Sequence, residues 1–172
     1  MIFNTNLNEV PQQAESRVFI RFQDCDPLKH LNNARYFEYF FNTRQDHVAG
    51  IYKFDYEYMF NHLKTSWVIY QHQIGYVRPA LMSEWVRIIT RIIFHDDDTL
   101  VTEHIMTDDK RKQLKTVLWT TSKHVDITTG KRTPHHKELN DYLAAVTLPG
   151  IDFENLDFNK RIHQIKRELI NA

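Results

Sequence analysis

Cysteine, glycine and proline are scarce in this 172-residue chain, with one, four and five residues respectively. The lone Cys25 excludes an internal disulfide and a paired-cysteine metal site, and it suits a reducing compartment. No Gly/Pro-rich linker and no internal repeat divides the sequence, so residues 1–172 read as one domain. Net charge is missing too. Lys+Arg and Asp+Glu both number 22, and no long basic run occurs, which argues against a general nucleic-acid binder. No apolar run approaches the roughly 20 residues of a membrane span. Met1 to Glu9 is polar and lacks the apolar stretch of a secretory signal, so the expectation is a cytoplasmic protein without a membrane.

What the chain has in quantity is aromatic side chains, 13% of residues. They fall into a readable order of elements. Residues 1–16 form a polar lead-in, and Arg17–Phe22 is a short strand rich in β-branched and aromatic residues. Asp24-Cys25-Asp26-Pro27 interrupts it, because proline cannot donate to a strand ladder. A helix is expected from about Asn33 to Val48, with Gly50 as its C-terminal cap. Tyr36, Phe37, Phe40, Phe41 and Val48 form its wide apolar face; Arg35, Glu38, Asn42, Gln45 and Asp46 form a polar stripe. Arg44 points to the apolar side, as a snorkelling arginine does. An apolar face that wide implies a helix wrapped by a sheet. Tyr52–Lys64 reads as a loop with one helical turn.

Four strands follow: Thr65–Val77, Glu84–His95, Leu100–Thr107 and Gln113–Val125. Short turns at Asp96–Thr99 and Asp108–Lys110 suggest an antiparallel meander. A short helix over about Lys137–Ala145 and a final amphipathic helix, with Phe158, Ile162, Ile165 and Leu169 at helical spacing, complete the chain. One helix and one sheet that bury each other make an α+β fold.

The chemistry concentrates between the first strand and the first helix. A carboxylate there can act as a nucleophile or general base. The unpaired N–H groups at a helix start can stabilise a developing oxyanion. Asp24-Cys25-Asp26-Pro27, followed by His30-Leu31-Asn32-Asn33 and Tyr36, resembles the hot-dog-fold acyl-CoA thioesterases of the 4-hydroxybenzoyl-CoA thioesterase type. Ile74-Gly75-Tyr76-Val77-Arg78-Pro79-Ala80 is similar to the strand of that family ending in Tyr-x-Arg-Pro.

The resemblance covers a core of about residues 17–130, with a C-terminal extension over 131–172. It implies a long antiparallel sheet around a central helix, in a homodimer or homotetramer with sites at the subunit interface. It implies Asp26 as the catalytic carboxylate, the Asn33 N–H as the oxyanion donor, and Tyr36 and Arg78 as substrate-binding residues. His30 is placed to support Asp26. No metal and no cofactor are expected, coenzyme A being part of the substrate.

Other details bear on this reading. Lys29 stands where many relatives have glycine. In the 4-hydroxybenzoyl-CoA enzyme the turn corresponding to Asp96-Asp97-Asp98 is basic and grips coenzyme A phosphates; here three carboxylates would repel them. Arg78, Lys110, Arg111, Lys112, Lys131 and Arg132 are the alternative cations, and an acyl carrier protein is the alternative carrier. A second thioesterase lineage uses a mid-helix Glu, but Glu38 and Asp46 lie on the polar stripe. Asp24 reads as structural, and Cys25, between two acids, lacks support for a thiolate. The adjacent His135 and His136 point apart on regular structure and make a poor metal pair. The alternative function is a non-catalytic acyl-thioester-binding protein.

Overall fold

A computed structural model describes residues 7–170; the expected lead-in is therefore described only from Leu7 onward. A 3-10 turn, Leu7–Glu9, precedes strand β1, Gln13–Phe19. A second 3-10 turn, Phe22–Asp24, leads through the loop to helix α1, Tyr36–Gly50. Helix α2, Tyr56–Tyr58, runs on into a π-helical turn, Met59–Leu63. Strands β2 (Thr65–Tyr76), β3 (Trp85–His95), β4 (Thr99–Asp108) and β5 (Leu114–Asp126) follow, then helices α3 (Lys137–Val146) and α4 (Phe158–Ile170).

β3, β4 and β5 lie within a residue of their expected bounds, and β2 ends one residue early. Strand β1 does not. It runs backward into the polar lead-in because it pairs antiparallel with β3, from Gln13 opposite Arg91 to Phe19 opposite Trp85. Its N-terminal half is held by polar partners: Arg87 Nη1 lies 2.7 Å from Glu15 Oε1, and Arg91 Nη1 donates to Gln13 Oε1 at 3.1 Å. Alternation of apolar residues carries no trace of that.

The five strands form one antiparallel sheet in the order β1-β3-β4-β5-β2. Only β3-β4-β5 is a meander, which corrects the expected order. The connection 77–84 carries the chain from β2 at one edge to β3 near the other. It is pinned on the way, since Val77 and Arg78 both donate backbone N–H bonds to Lys115 O at 2.8 and 3.0 Å. Buried Lys115 contacts Glu84 at 2.7 Å and donates to Pro79 O at 3.1 Å.

Helix α1 packs on one face of the sheet, where Tyr36, Tyr39 and Phe40 meet Val86, Ile88, Met106 and Leu118. The inner face of the helix is more polar than its pattern suggests. Thr43 and His47 are buried, and the His47 ring bonds Ser16 Oγ at 2.9 Å and Thr90 Oγ1 at 2.8 Å. Phe37 and Phe41 are only half-buried, against His72. Arg44 lies 5.0 Å over the Tyr52 ring, its apolar stem covered. Gly50 is the last helical residue rather than a left-handed cap after it.

Helix α4 covers the opposite face, setting Phe158, Ile162 and Ile165 on Ile93, Val101, Ile105, Val117 and Trp119. Strand β4 is consequently buried along nearly its whole length. A β-carbon at Gly75 would stand 2.5 Å from Ile162 Cδ1, so the glycine sets how closely α4 approaches β2. Under α4, fully buried Glu103 meets Arg91 Nη2 at 2.6 Å, Arg161 Nε at 2.9 Å and Trp119 Nε1 at 3.0 Å.

The acidic turn 96–98 docks the start of the C-terminal extension. Arg132 makes two bonds to Asp98, at 2.6 and 2.7 Å, and holds its carboxyl down to about 2. His135 donates from Nδ1 to Asp96 O at 3.0 Å and accepts at Nε2 from Trp67 Nε1 at 3.0 Å, so it must be neutral.

Burial first, with His124 next, pushes His135 down to about 4. Burial, aided by Arg44, pushes His104 on β4 down to about 3. Both folded-state values lie below the ordinary histidine value of 6.5. The unfolded chain therefore takes up these protons first, and stability is full above pH 6.5 and falls as pH drops toward 4. A urea midpoint that declines steadily over that window in wild type, and less in His135→Gln, is the expected result. A midpoint flat from pH 7 to 4.5 contradicts it.

Candidate active site

The loop between β1 and α1 is built by Asp26. Lys29 N donates to Asp26 O at 2.9 Å, closing a β-turn with Pro27 at its second position. Asp26 Oδ1 accepts the N–H groups of Leu28 at 2.9 Å and His30 at 3.0 Å. Asp26 N in turn donates to His30 O at 2.8 Å. One carboxylate oxygen thus staples the loop, while among the described residues the other accepts no hydrogen bond. The contact between Asp26 and His30 runs through the His30 backbone, not its ring.

Lys29 has φ of 62°, in the left-handed region that glycine occupies without steric cost. The lysine adopts a backbone shape that glycine takes more readily, and its carbonyl accepts Met82 N at 2.9 Å. Lys29→Gly is accordingly expected to leave stability unchanged or raise it by up to about 1 kcal/mol, and Lys29→Val to lower it by about 1–2 kcal/mol. Urea denaturation measures both; a destabilised glycine variant contradicts this account of the loop.

Asn33 is not the helix start. Asn32 Oδ1 accepts Ala34 N at 3.0 Å and Asn32 O accepts Arg35 N at 2.8 Å, so the chain first makes a tight turn and α1 begins at Tyr36. Asn32 caps that turn, and α1 itself has no side-chain cap at Arg35. The Asn33 N–H has no acceptor among the described residues, and its carbonyl accepts the Tyr76 hydroxyl at 3.1 Å. Tyr36 is buried, with Ala80 N donating to its hydroxyl at 3.0 Å and the Tyr76 ring 5.2 Å away. Burial pushes the Tyr36 hydroxyl pKa up, so it stays protonated. Tyr39 OH donates to Asp24 Oδ2 at 2.8 Å and accepts Arg21 N at 2.9 Å, which gives Asp24 a structural task. Burial, then Asp24 and Asp26, raise the Cys25 thiol, so no thiolate forms there.

Asp26, His30, Asn33, Tyr36, Tyr76 and Arg78 all line one cavity of about 360 Å³. Five were expected from sequence. Tyr76 was part of the quoted motif, but its bond to Asn33, from the far end of β2, requires the folded sheet. The residues lining this one cavity include a carboxylate with an unengaged oxygen, a backbone N–H without an acceptor among the described residues, and an exposed arginine.

A family model described as the thioesterase-like superfamily matches residues 20–143. No curated protein matches the sequence. Among solved structures, a probable thioesterase from Escherichia coli superposes with a TM-score of 0.69 at 23% identity, over 78% of this chain and 98% of that one. A thioesterase from Thermus thermophilus, complexed with coenzyme A and zinc, gives 0.64 at 22% identity over 83% and 99%. The 12:0-ACP thioesterase from Umbellularia californica gives 0.74 at 10% identity over 85% of this chain and 55% of that one. These likenesses establish the hot-dog architecture. With the family match spanning most of the sequence, the chain belongs to the thioesterase-like superfamily.

Proposed function

We propose that the protein is an acyl-CoA thioesterase of the 4-hydroxybenzoyl-CoA type, hydrolysing an acyl thioester at the cavity around Asp26. The observation that carries the reading is the split role of that carboxylate in a residue lining the shared cavity: one oxygen is fixed by two N–H bonds, and the other accepts none among the described residues. As general base, Asp26 takes a proton from water while the water oxygen attacks the thioester carbon. As nucleophile, it forms an anhydride that water then opens. In both routes the C–S bond breaks, the thiolate leaves and is protonated, and the Asn33 N–H receives the carbonyl oxygen's charge. Tyr36 and Tyr76 wall the reaction and Arg78 meets the carrier. Release of free thiol from a panel of acyl-CoAs tests the reading.

The site is completed, in this proposal, by a second copy. β2 is a 12-residue edge strand with Val68, Ile69 and Tyr70 exposed at 48%, 55% and 70%. A long apolar edge is a template for pairing, and a two-fold β2–β2 contact would close the sheet beside Tyr76. Ile69→Arg is expected to shift the protein to monomer in sedimentation velocity and to lower activity with it. A wild-type monomer at micromolar concentration contradicts the dimer. The single cysteine suits the cytoplasm; among the described residues no helix is long and apolar enough to cross a membrane.

A further inference from the structure

Acyl-CoA carries its charge on phosphates far from the thioester, and the turn 95–99 has no cation to spare for them. Asp96 caps its own turn and Asp98 is already paired with Arg132. Arg111 is paired with Glu15 at 2.7 Å. Arg91, Arg161 and Arg167 line a cavity beside the 148–156 segment, but Glu103 and Glu168 together neutralise the first two, and Asp152 shares the lining with Arg167.

A different group of cations remains. Arg78, Lys112 and Lys166 line one groove of about 390 Å³, and none of them is in an ion pair among the described residues. Three separate parts of the fold supply them: the 77–84 connection, the β4–β5 turn and α4. Lys166 lies in the last turns of α4, where a cation also complements the helix carbonyls. That accounts for one charge and not for the other two. Asp108, the acid beside the turn, has one oxygen committed to the N–H groups of Lys112 and Gln113, both at 2.7 Å. The groove's remaining wall is apolar: Leu114, Leu169 and Ile170, the last 78% exposed. Cations beside an apolar wall suit a phosphorylated nucleoside better than a bare anion. The groove adjoins the Asp26 cavity, since Val77 and Arg78 line both.

We propose that this groove binds the phosphates and adenosine of coenzyme A, with the pantetheine arm passing Val77 and Arg78 into the Asp26 cavity. The inference rests on the thioesterase reading and adds to it that α4, outside the core that resembles known thioesterases, is part of the carrier site. It favours coenzyme A over an acyl carrier protein because the cations line a concavity rather than a broad face.

Calorimetric titration of free coenzyme A into wild type and into Lys112→Glu/Lys166→Glu separates the two ideas. The expected result is a Kd about tenfold or more weaker in the double variant, with the difference shrinking in high salt. Turnover of an acyl N-acetylcysteamine thioester, which has no phosphates, is expected to be the same in both proteins. Lys112→Gln/Lys166→Gln, with an expected intermediate loss, serves if charge reversal impairs folding. Equal affinity in wild type and variants, or no coenzyme A binding by wild type, overturns the groove whatever the catalytic result. So does a variant that loses acyl-carrier-protein turnover while keeping its affinity for coenzyme A. Groove-dependent binding of coenzyme A without turnover of any thioester sinks the hydrolysis reading and leaves the groove standing.

Discussion

Asp26→Asn is expected to lower kcat for acyl-CoA hydrolysis by about a thousandfold, a typical scale for losing a positioned acid–base group. Its melting temperature should stay within about 3 °C of wild type. The two halves follow from the two oxygens of one side chain. Asparagine keeps an acceptor where Oδ1 receives Leu28 N and His30 N, at 2.9 and 3.0 Å. It replaces the unengaged oxygen with an amide that can neither attack nor take a proton at neutral pH. Asp26→Ala removes both functions, and losing the two staples should cost about 1–3 kcal/mol of stability as well. If Asp26 serves only the loop, the asparagine variant keeps its rate and the alanine variant loses activity only as far as it unfolds. Thiol release and thermal denaturation, measured on the same three samples, decide between these outcomes.

The largest expected effect on stability lies away from the cavity. Glu103→Gln should destabilise the protein by about 3–5 kcal/mol, because it leaves two buried guanidinium groups with only the half-exposed Glu168 as counter-charge. For a chain of this size that corresponds to a melting temperature lower by roughly 10 °C. Glu103 is fully buried between Arg91 on β3 and Arg161 on α4, with Trp119 Nε1 as a third donor. Burial alone would raise its pKa, but the hydrogen bond from Arg161 and the two positive charges hold it below the ordinary value. A depressed carboxylate pKa means stability present above the unfolded value and lost as pH falls through the folded one. The penalty for Glu103→Gln should therefore be largest at neutral pH and shrink below about pH 4. Because Arg161 belongs to α4, a looser α4 in the variant should also increase hydrogen exchange across the outer face of β4 and β5. A variant as stable as wild type at pH 7 contradicts this view of how the C-terminal helix is held.

Much of this was legible in the sequence, and the misses have physical causes. Strands with apolar alternation or long apolar runs were read to within a residue or so, since burial against α1 leaves a period in the side chains. The first half of β1 left none, because Gln13 and Glu15 are placed by arginines of β3. Strand order is not legible, since nothing local in 77–84 says that the chain crosses the sheet rather than turning back. The polar interior of α1 was invisible for a similar reason: His47 is buried only because Ser16 and Thr90 satisfy its ring.

The candidate site was more legible than the fold around it. Asp26, His30 and Asn33 are local, and Arg78 came with a motif. Lys29 became intelligible only with its φ of 62°. Lys112 and Lys166 lie 54 residues apart in the chain and share a groove only because α4 folds back over the sheet.

In the proposed reading, the cavity lined by Asp26, Asn33 and Arg78 hydrolyses thioesters. The most direct test of that reading is continuous detection of free thiol as purified protein meets acyl-CoAs spanning short, long and aromatic acyl groups. The account predicts saturable release for at least one of them, with turnover that disappears in Asp26→Asn. Saturable binding of acyl-CoA with no thiol released across the whole set would contradict it, and would leave a hot-dog protein that holds thioesters without cleaving them.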